Sequence, residues 1–79
     1  KVEAEIMHIA ASEPGVSGIH HLCTRRMGNS VAIEMHARMP GGTPLAEAHS
    51  HATAIERRIK ERFGEETHVI IHLEPVKEE

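Results

Sequence analysis

A single stretch near the end of the chain, residues 67–75 (THVIIHLEP), constrains the fold most strongly, because its pattern is that of a β-strand. Its β-branched residues cluster, and the apolar side chains of Val69, Ile71 and Leu73 alternate with other residue types. The second face of this strand carries four side chains: His68, Ile70, His72 and Glu74. Two imidazoles and a carboxylate suit neither solvent nor a core alone, so we expect this face to meet a cation, a partner chain or both.

The chain is small for a protein that must bury a core. Its 79 residues correspond to one domain, residues 1–79, and a domain of this size buries only about 60–65% of its unfolded surface. Phe63 is the only aromatic residue, so the core must consist of Ile, Val, Leu, Met and Ala. We therefore expect stabilisation from oligomerisation, from a bound metal ion or from both.

Charge and cysteine content limit the functional classes to which the chain can belong. The net charge is −3 and the basic residues are dispersed, which argues against a nucleic acid as partner. Cys23 is the only cysteine, so an intrachain disulfide is excluded and a reducing compartment is favoured. No apolar stretch approaches the length of a membrane span. Because the chain starts at Lys1 rather than Met, we expect it to be part of a longer protein.

The other elements follow from hydrophobic periodicity and turn residues. We predict helices over 1–12 and 44–63, strands over 16–27 and 31–39, and fraying over 76–79. Thr43 is the predicted N-cap of the long helix, with Pro44 as its first residue and Gly64 as its stop. The parity of Leu22 interrupts the alternation of the first strand, which indicates a bulge there.

The order α-β-β-α-β determines how these elements connect. The first two strands form a hairpin, and the long helix makes a right-handed crossover that sets the second and third strands parallel. Both helices pack on the face that carries Ile33, Met35 and Ile71. We predict an α+β fold in which a three-stranded mixed sheet has two helices on one face and an open second face.

The open face carries a candidate metal site. His36 and His72 lie on neighbouring strands with the same parity, so one ion can reach both if the register aligns them. Glu74 adds a carboxylate oxygen on the same face, and His20 begins the adjacent strand. Imidazoles with a carboxylate are typical of zinc and similar borderline cations. For any one of these histidines alone, a solvated or hydrogen-bonded strand histidine is the competing interpretation.

The remaining histidines are weaker candidates. His49 and His51 lie two apart on the long helix and cannot chelate one ion together, because their side chains point in nearly opposite directions. His49 becomes a ligand only if it approaches the strand cluster, and His51 is expected at the helix surface. His8 and His21 are expected in solvent, and the four methionines are expected to fill the core. His68 faces outward near the cluster, where an auxiliary ligand is the alternative, but a solvated side chain is the favoured interpretation.

Few features of this sequence indicate a catalytic site. No serine or cysteine lies in a recognisable nucleophile setting, and the chain contains no aspartate. A zinc enzyme needs an open coordination position and a substrate cleft, and the predicted sheet offers little cleft. We therefore expect the chain not to be an enzyme.

Four segments carry a resemblance to a known family. They are residues 14–22 (PGVSGIHHL), 33–36 (IEMH), 45–49 (LAEAH) and 69–75 (VIIHLEP), supplemented by Ile55, Glu56 and Phe63. In order and spacing they resemble the cytoplasmic C-terminal domain of the cation diffusion facilitator family of metal transporters, and they span nearly the whole chain. The chain departs from the family pattern after His20, where the family often has Asp followed by Leu-Arg, because His21 and Cys23 occupy the first and last of those places.

The resemblance implies a metallochaperone-like (ferredoxin-like) domain that forms a V-shaped homodimer beneath the transmembrane domain of its transporter. It places the domain on the cytoplasmic side of the cell membrane, with this fragment itself soluble. In family members with zinc sites here, ligands come from positions matching His20, His36, His49, His72 and Glu74, near the dimer interface. Binding there draws the lobes together and biases the transporter toward activity. The implied ion is Zn2+, with Cd2+, Co2+, Ni2+, Fe2+ and Mn2+ as the other compatible divalent cations.

Three hypotheses follow. The first is a regulatory, metal-binding dimer domain of a divalent cation efflux transporter. The second is a soluble metallochaperone or metal-buffering dimer with the same fold, which the length of the full protein would distinguish from the first. The third is a dimerisation domain without a metal role, in which the histidines are solvated. Alanine at His36 and His72 separates the third hypothesis from the first.

Overall fold

The computed structural model describes residues 1–76. It contains α1 (Val2–Ala11), β1 (Gly18–Met27), β2 (Ser30–Met39), α2 (Leu45–Phe63) and β3 (His68–Pro75). The predicted α-β-β-α-β order is confirmed. The fraying predicted beyond Val76 lies outside the described residues.

The three strands form one mixed sheet with β2 at its centre. β1 pairs with β2 in antiparallel orientation, and β3 pairs with β2 in parallel orientation, as the long crossover helix predicted. The register between β1 and β2 shifts between His20 and Cys23, so the predicted bulge is present.

Both helices pack on one face of the sheet, where they enclose an aliphatic core. On β2 the alternation is complete, because Ile33 and Met35 are buried while Glu34 is exposed. The buried cluster comprises Ile6, Ala10, Ile33, Met35, Ile55 and Ile59. The opposite face carries exposed side chains, which makes it available for binding.

The ends of α1, β1 and β2 shift by one or two residues from the predicted bounds, and three further local details differ from the predictions. α2 begins one residue later than expected, because Pro44 takes an extended conformation (ψ 146°) and is the N-cap itself, without a side-chain cap from Thr43. Leu45 follows the apolar spacing of α2 but is 81% exposed, since it precedes the part of the helix that covers the sheet. Met27 does not fill the core, because it lies at the hairpin end of β1 and is exposed.

Neither helix in residues 1–76 combines the length and the apolar character that crossing a membrane requires.

Candidate metal centre

The register of the sheet aligns three histidines in one row across the open face. β1 pairs His20 with His36, and β2 pairs His36 with His72. The imidazole centroids of His20 and His36 lie 5.2 Å apart, and those of His36 and His72 lie 4.7 Å apart. The shared parity of the three residues on neighbouring strands produces this row, because paired residues direct their side chains to the same face.

Glu74 joins two of these histidines into a compact cluster. The Nε2–H of His20 donates to Oε1 of Glu74 at 2.8 Å, and the Nδ1–H of His36 donates to Oε2 of the same carboxylate. Ligand atoms of His20, His36 and Glu74 all lie within 4.8 Å of one another. Arg38, the strand neighbour of Glu74 on β2, places its Nε 3.6 Å from Oε1.

The carboxylate of Glu74 is ionised at neutral pH. Hydrogen bonds from His36 and then from His20 lower the pKa of Glu74 to about 2, against a smaller opposing effect of desolvation. The side chains of His20, His36 and Glu74 are each about one-third exposed, so an ion from solvent has access to them. The cluster therefore presents two nitrogen donors and one anionic oxygen donor at a half-exposed position.

His72 belongs to the row but not to this three-residue cluster. Its Nε2–H donates to Oε2 of Glu34 at 2.7 Å, so its ring is held beside His36 by a second carboxylate. Glu34 was not predicted as a site residue. Glu34 is the parallel partner of Ile70 and lies two residues before His36 on β2, and this position was the signal that places it near His72.

The structure does not bring His49 to the cluster. His49 is exposed on α2, and α2 packs against the sheet face opposite to the one that carries His20 and His36. Of the five predicted site residues, the structure thus gathers His20, His36 and Glu74, places His72 alongside, and leaves His49 on the other side of the sheet.

His21 lies beside the cluster, although it was expected in solvent alone. It is exposed, and its ring centroid is 4.4 Å from that of His20 and 5.0 Å from that of His36. The bulge causes this placement, and the parity of Leu22 was the sequence signal that could have located His21 beside His20 and His36.

His51 is not the simple surface histidine expected from its helix position. Its side chain is 18% exposed, and its Nδ1–H donates to Glu13 at 2.7 Å. Its Nε2 lies 3.3 Å from a carboxylate oxygen of Glu47, and Arg58 also donates to Glu13, at 2.5 Å. The Glu13 hydrogen bond, followed by that of Glu47, raises the pKa of His51. This ion-pair group fastens the α1–β1 loop to α2, so its role is structural.

The donor types of the cluster match a borderline divalent cation. A tetrahedral zinc ion with bonds of about 2.0–2.2 Å holds its ligand atoms roughly 3.3–3.6 Å apart, so the His20–Glu74 contact needs to lengthen only slightly. A bound ion would replace the two imidazole protons that now point at the carboxylate. A neutral imidazole would keep its proton by moving it to the other ring nitrogen, whereas a protonated imidazole would release one proton to solvent. The residues present therefore fit such an ion.

The sequence pattern of one protein family matches residues 1–76, and its description is "Cation efflux protein, cytoplasmic domain". Among individual proteins, the cation-efflux pump FieF of Escherichia coli is 45% identical over 71 residues, which cover 90% of this chain and 23% of that protein. FieF of Salmonella typhimurium is 44% identical over the same length. The chain therefore spans about a quarter of the length of the curated relatives that it matches.

Solved structures show the same fold. The C-terminal domain of the magnetosome protein MamB of Desulfamplus magnetovallimortis superimposes with a TM-score of 0.86 at 18% identity, covering 99% of this chain and 96% of that one. The nickel form of a variant MamM C-terminal domain gives 0.85 at 21% identity, covering 96% of each chain. A candidate zinc transporter, CzrB, gives 0.80 at 29% identity, covering 96% and 89%.

Proposed function

Because the chain belongs to the family of cation efflux protein cytoplasmic domains, we propose that it is a dimerising regulatory domain whose ligand is a divalent cation, with zinc as the ion. The observation that carries this proposal is the convergence of His20, His36 and Glu74 within 4.8 Å on the open sheet face. Residues from three different strands supply these donors, so the intact sheet is needed to assemble them. No catalytic step is assigned to the chain.

The choice of ion rests on donor chemistry and on related proteins. Two imidazoles and one carboxylate favour borderline cations over hard ions such as Ca2+, which prefer oxygen ligands alone. CzrB is named as a candidate zinc transporter, and variants of the MamM domain have nickel and cadmium forms. These names support a divalent ion for this chain and make zinc the first ion to test.

Two features of the open face support a second copy of the chain as partner. Ile70, on the edge strand β3, is 54% exposed on that face. A depression of about 370 Å³ lies beside it, with Cys23, Glu34 and His68 among its lining residues. A small domain gains from covering apolar surface of this kind with a second copy.

The position of His49 supports closure of that dimer by the ion. Within one chain α2 keeps His49 on the far side of the sheet from His20 and His36, so a second chain is the available route by which His49 reaches an ion there. An ion that uses ligands from both chains binds the closed arrangement better than the open one and shifts the population toward it. The chain matches only 23% of the length of FieF. In a longer transporter, a transmembrane domain would respond to this change in the dimer.

A metal-independent dimerisation domain is the second candidate. It is favoured by the observation that the cluster histidines already have carboxylate partners, Glu74 for His20 and His36 and Glu34 for His72. In that case the row of imidazoles would serve to link the three strands through hydrogen bonds.

Zinc titration of His36→Ala separates the two candidates. His36 is the central ligand, so its loss should weaken zinc binding by about tenfold or more, a range seen even for residues that only support a ligand. His8→Ala is the matched control, because His8 is an exposed histidine on α1, away from the open face. Calorimetry with both variants provides the measurement. Equal zinc affinity in His36→Ala, His8→Ala and the unmodified domain would exclude this site.

A further inference from the structure

His21 occupies a backbone position that a regular strand does not contain. In the pairing of β1 with β2, His20 opposes His36 and Cys23 opposes Glu34, so two residues of β1 face one residue of β2. At this bulge His21 adopts φ 55°, the only positive φ of a non-glycine residue within residues 1–76. Residues other than glycine rarely take this conformation, and those that do are concentrated at sites such as ligand clamps.

The bulge places two successive histidines on the same face. In a regular strand the side chains of His20 and His21 would point to opposite faces. Here Leu22 packs against the core, while the ring of His21 lies 4.4 Å from that of His20 and 5.0 Å from that of His36. The extra residue therefore adds a third imidazole to the two that Glu74 holds together.

We propose that His21 is a fourth ligand that this chain supplies to the divalent cation bound by His20, His36 and Glu74. This inference rests on the proposed metal-binding function and adds one ligand to it. Three protein ligands leave one position of a tetrahedral zinc ion for water, which His21 would fill, and zinc can expand to five ligands when a group from a second chain joins it.

The side-chain contacts of His21 leave its imidazole available to coordinate an ion. The side chain of His21 makes no hydrogen bond and no ion pair with the described residues, whereas the Nε2–H of His72 is already donated to Glu34. His21 is exposed, so its side chain is able to rotate. Rotation is required, because His21 is not among the residues whose donor atoms all lie within 4.8 Å of one another. Neutral imidazole is a suitable fourth donor for a borderline cation.

The informative variant is His21→Gly. Glycine takes positive φ readily, so this change keeps the bulge and removes only the imidazole. His21→Asn serves as a second variant, because asparagine also tolerates the left-handed conformation. His36→Ala tests the site itself, and His8→Ala controls for the loss of an exposed histidine elsewhere. Circular dichroism of each variant checks that the fold is retained.

The measurements are zinc affinity and the visible absorption of the Co2+ complex, which is intense for four-coordinate tetrahedral cobalt and weak for six-coordinate cobalt. We expect both His21 variants to lower zinc affinity by about tenfold or more and to weaken the cobalt absorption, with His8→Ala unchanged. If His36→Ala loses the ion while both His21 variants match the unmodified domain, the inference about His21 is wrong and the proposed site stands. If His36→Ala also binds normally, both the site and the inference are wrong.

Discussion

Glu74 determines the charge of the candidate metal centre. Its carboxylate accepts hydrogen bonds from His36 and His20, and its pKa falls to about 2. Because this pKa is lower in the folded protein than the ordinary value of 4.5, the stability that the interaction contributes is present above pH 4.5 and is lost as the pH falls toward 2. Glu74 is therefore a permanent anion at neutral pH, which a cation entering the cluster would encounter.

Gly15 is required by its close contact with His51. Its φ is +91°, and a Cβ added there would lie 2.6 Å from Nε2 of His51. Gly15→Ala should therefore destabilise the domain by about 1–3 kcal/mol, through backbone strain and displacement of the ring. Gly42→Ala is the control, because no atom lies within 4 Å of its added Cβ, and its effect should be within about 0.5 kcal/mol. Urea unfolding of the two variants measures the difference, and equal midpoints would contradict this explanation.

His51 should make stability depend on pH near neutrality. Both of its ring nitrogens face carboxylates, those of Glu13 and Glu47, and its pKa is raised above 6.5. The stability from protonated His51 is thus fully present below pH 6.5 and is lost as the pH rises through the raised pKa of the folded state. Subtracting the unfolding free energy of His51→Gln from that of the unmodified domain at each pH should give a difference that decreases from pH 6.5 upward. A difference that stays constant across this pH range would contradict the assignment to His51.

Some of these residue-level features followed from the sequence and others did not. Alternation on single strands was sufficient to select His20, His36, His72 and Glu74 for one face, because side-chain direction in a strand has a fixed period. It was not sufficient for His51, because its partner Glu13 lies in a loop whose path depends on tertiary packing.

Among the elements, β2 was the most predictable and β1 the least. Every second residue of β2 from Ile33 to Met39 is buried, as a strand between two neighbours under a helical layer requires. In β1 the bulge changes the parity after His20, and a rule that assumes regular alternation then assigns His21 to the wrong face. The start of α2 was misplaced by one residue, since Thr43 and Pro44 were both acceptable at a helix N-terminus by residue type.

A few buried aliphatic side chains should hold α2 against the sheet. Ile55 is fully buried between the sheet and α1, so Ile55→Ala should lower the unfolding free energy by about 2–5 kcal/mol through lost burial and a residual cavity. Arg57→Ala, at an exposed position two residues away, should change it by about 0.5 kcal/mol or less. Thermal or urea unfolding of both variants provides the comparison, and similar losses would indicate that α2 is not held by this core.

At the scale of the whole molecule, helices cover only one face of the three-stranded sheet. The described residues form a body of 41 × 23 × 17 Å whose helices all lie on one face of the sheet. The open face carries the candidate metal centre, the exposed Ile70 and the His72–Glu34 pair. The sequence predicted this asymmetry from the order of the elements. How two copies meet depends on surface complementarity between chains, which periodicity within one chain does not encode.

Small-angle X-ray scattering of the dimer during zinc titration tests the proposed closure most directly. A single chain has a Cα radius of gyration of 12.4 Å, so the dimension of a dimer reports mainly how its two lobes are arranged. We predict that saturating zinc reduces the radius of gyration of the dimer and that His36→Ala abolishes this reduction. An unchanged radius of gyration at saturating zinc, with zinc bound to the unmodified domain, would contradict the claim that the ion closes the dimer.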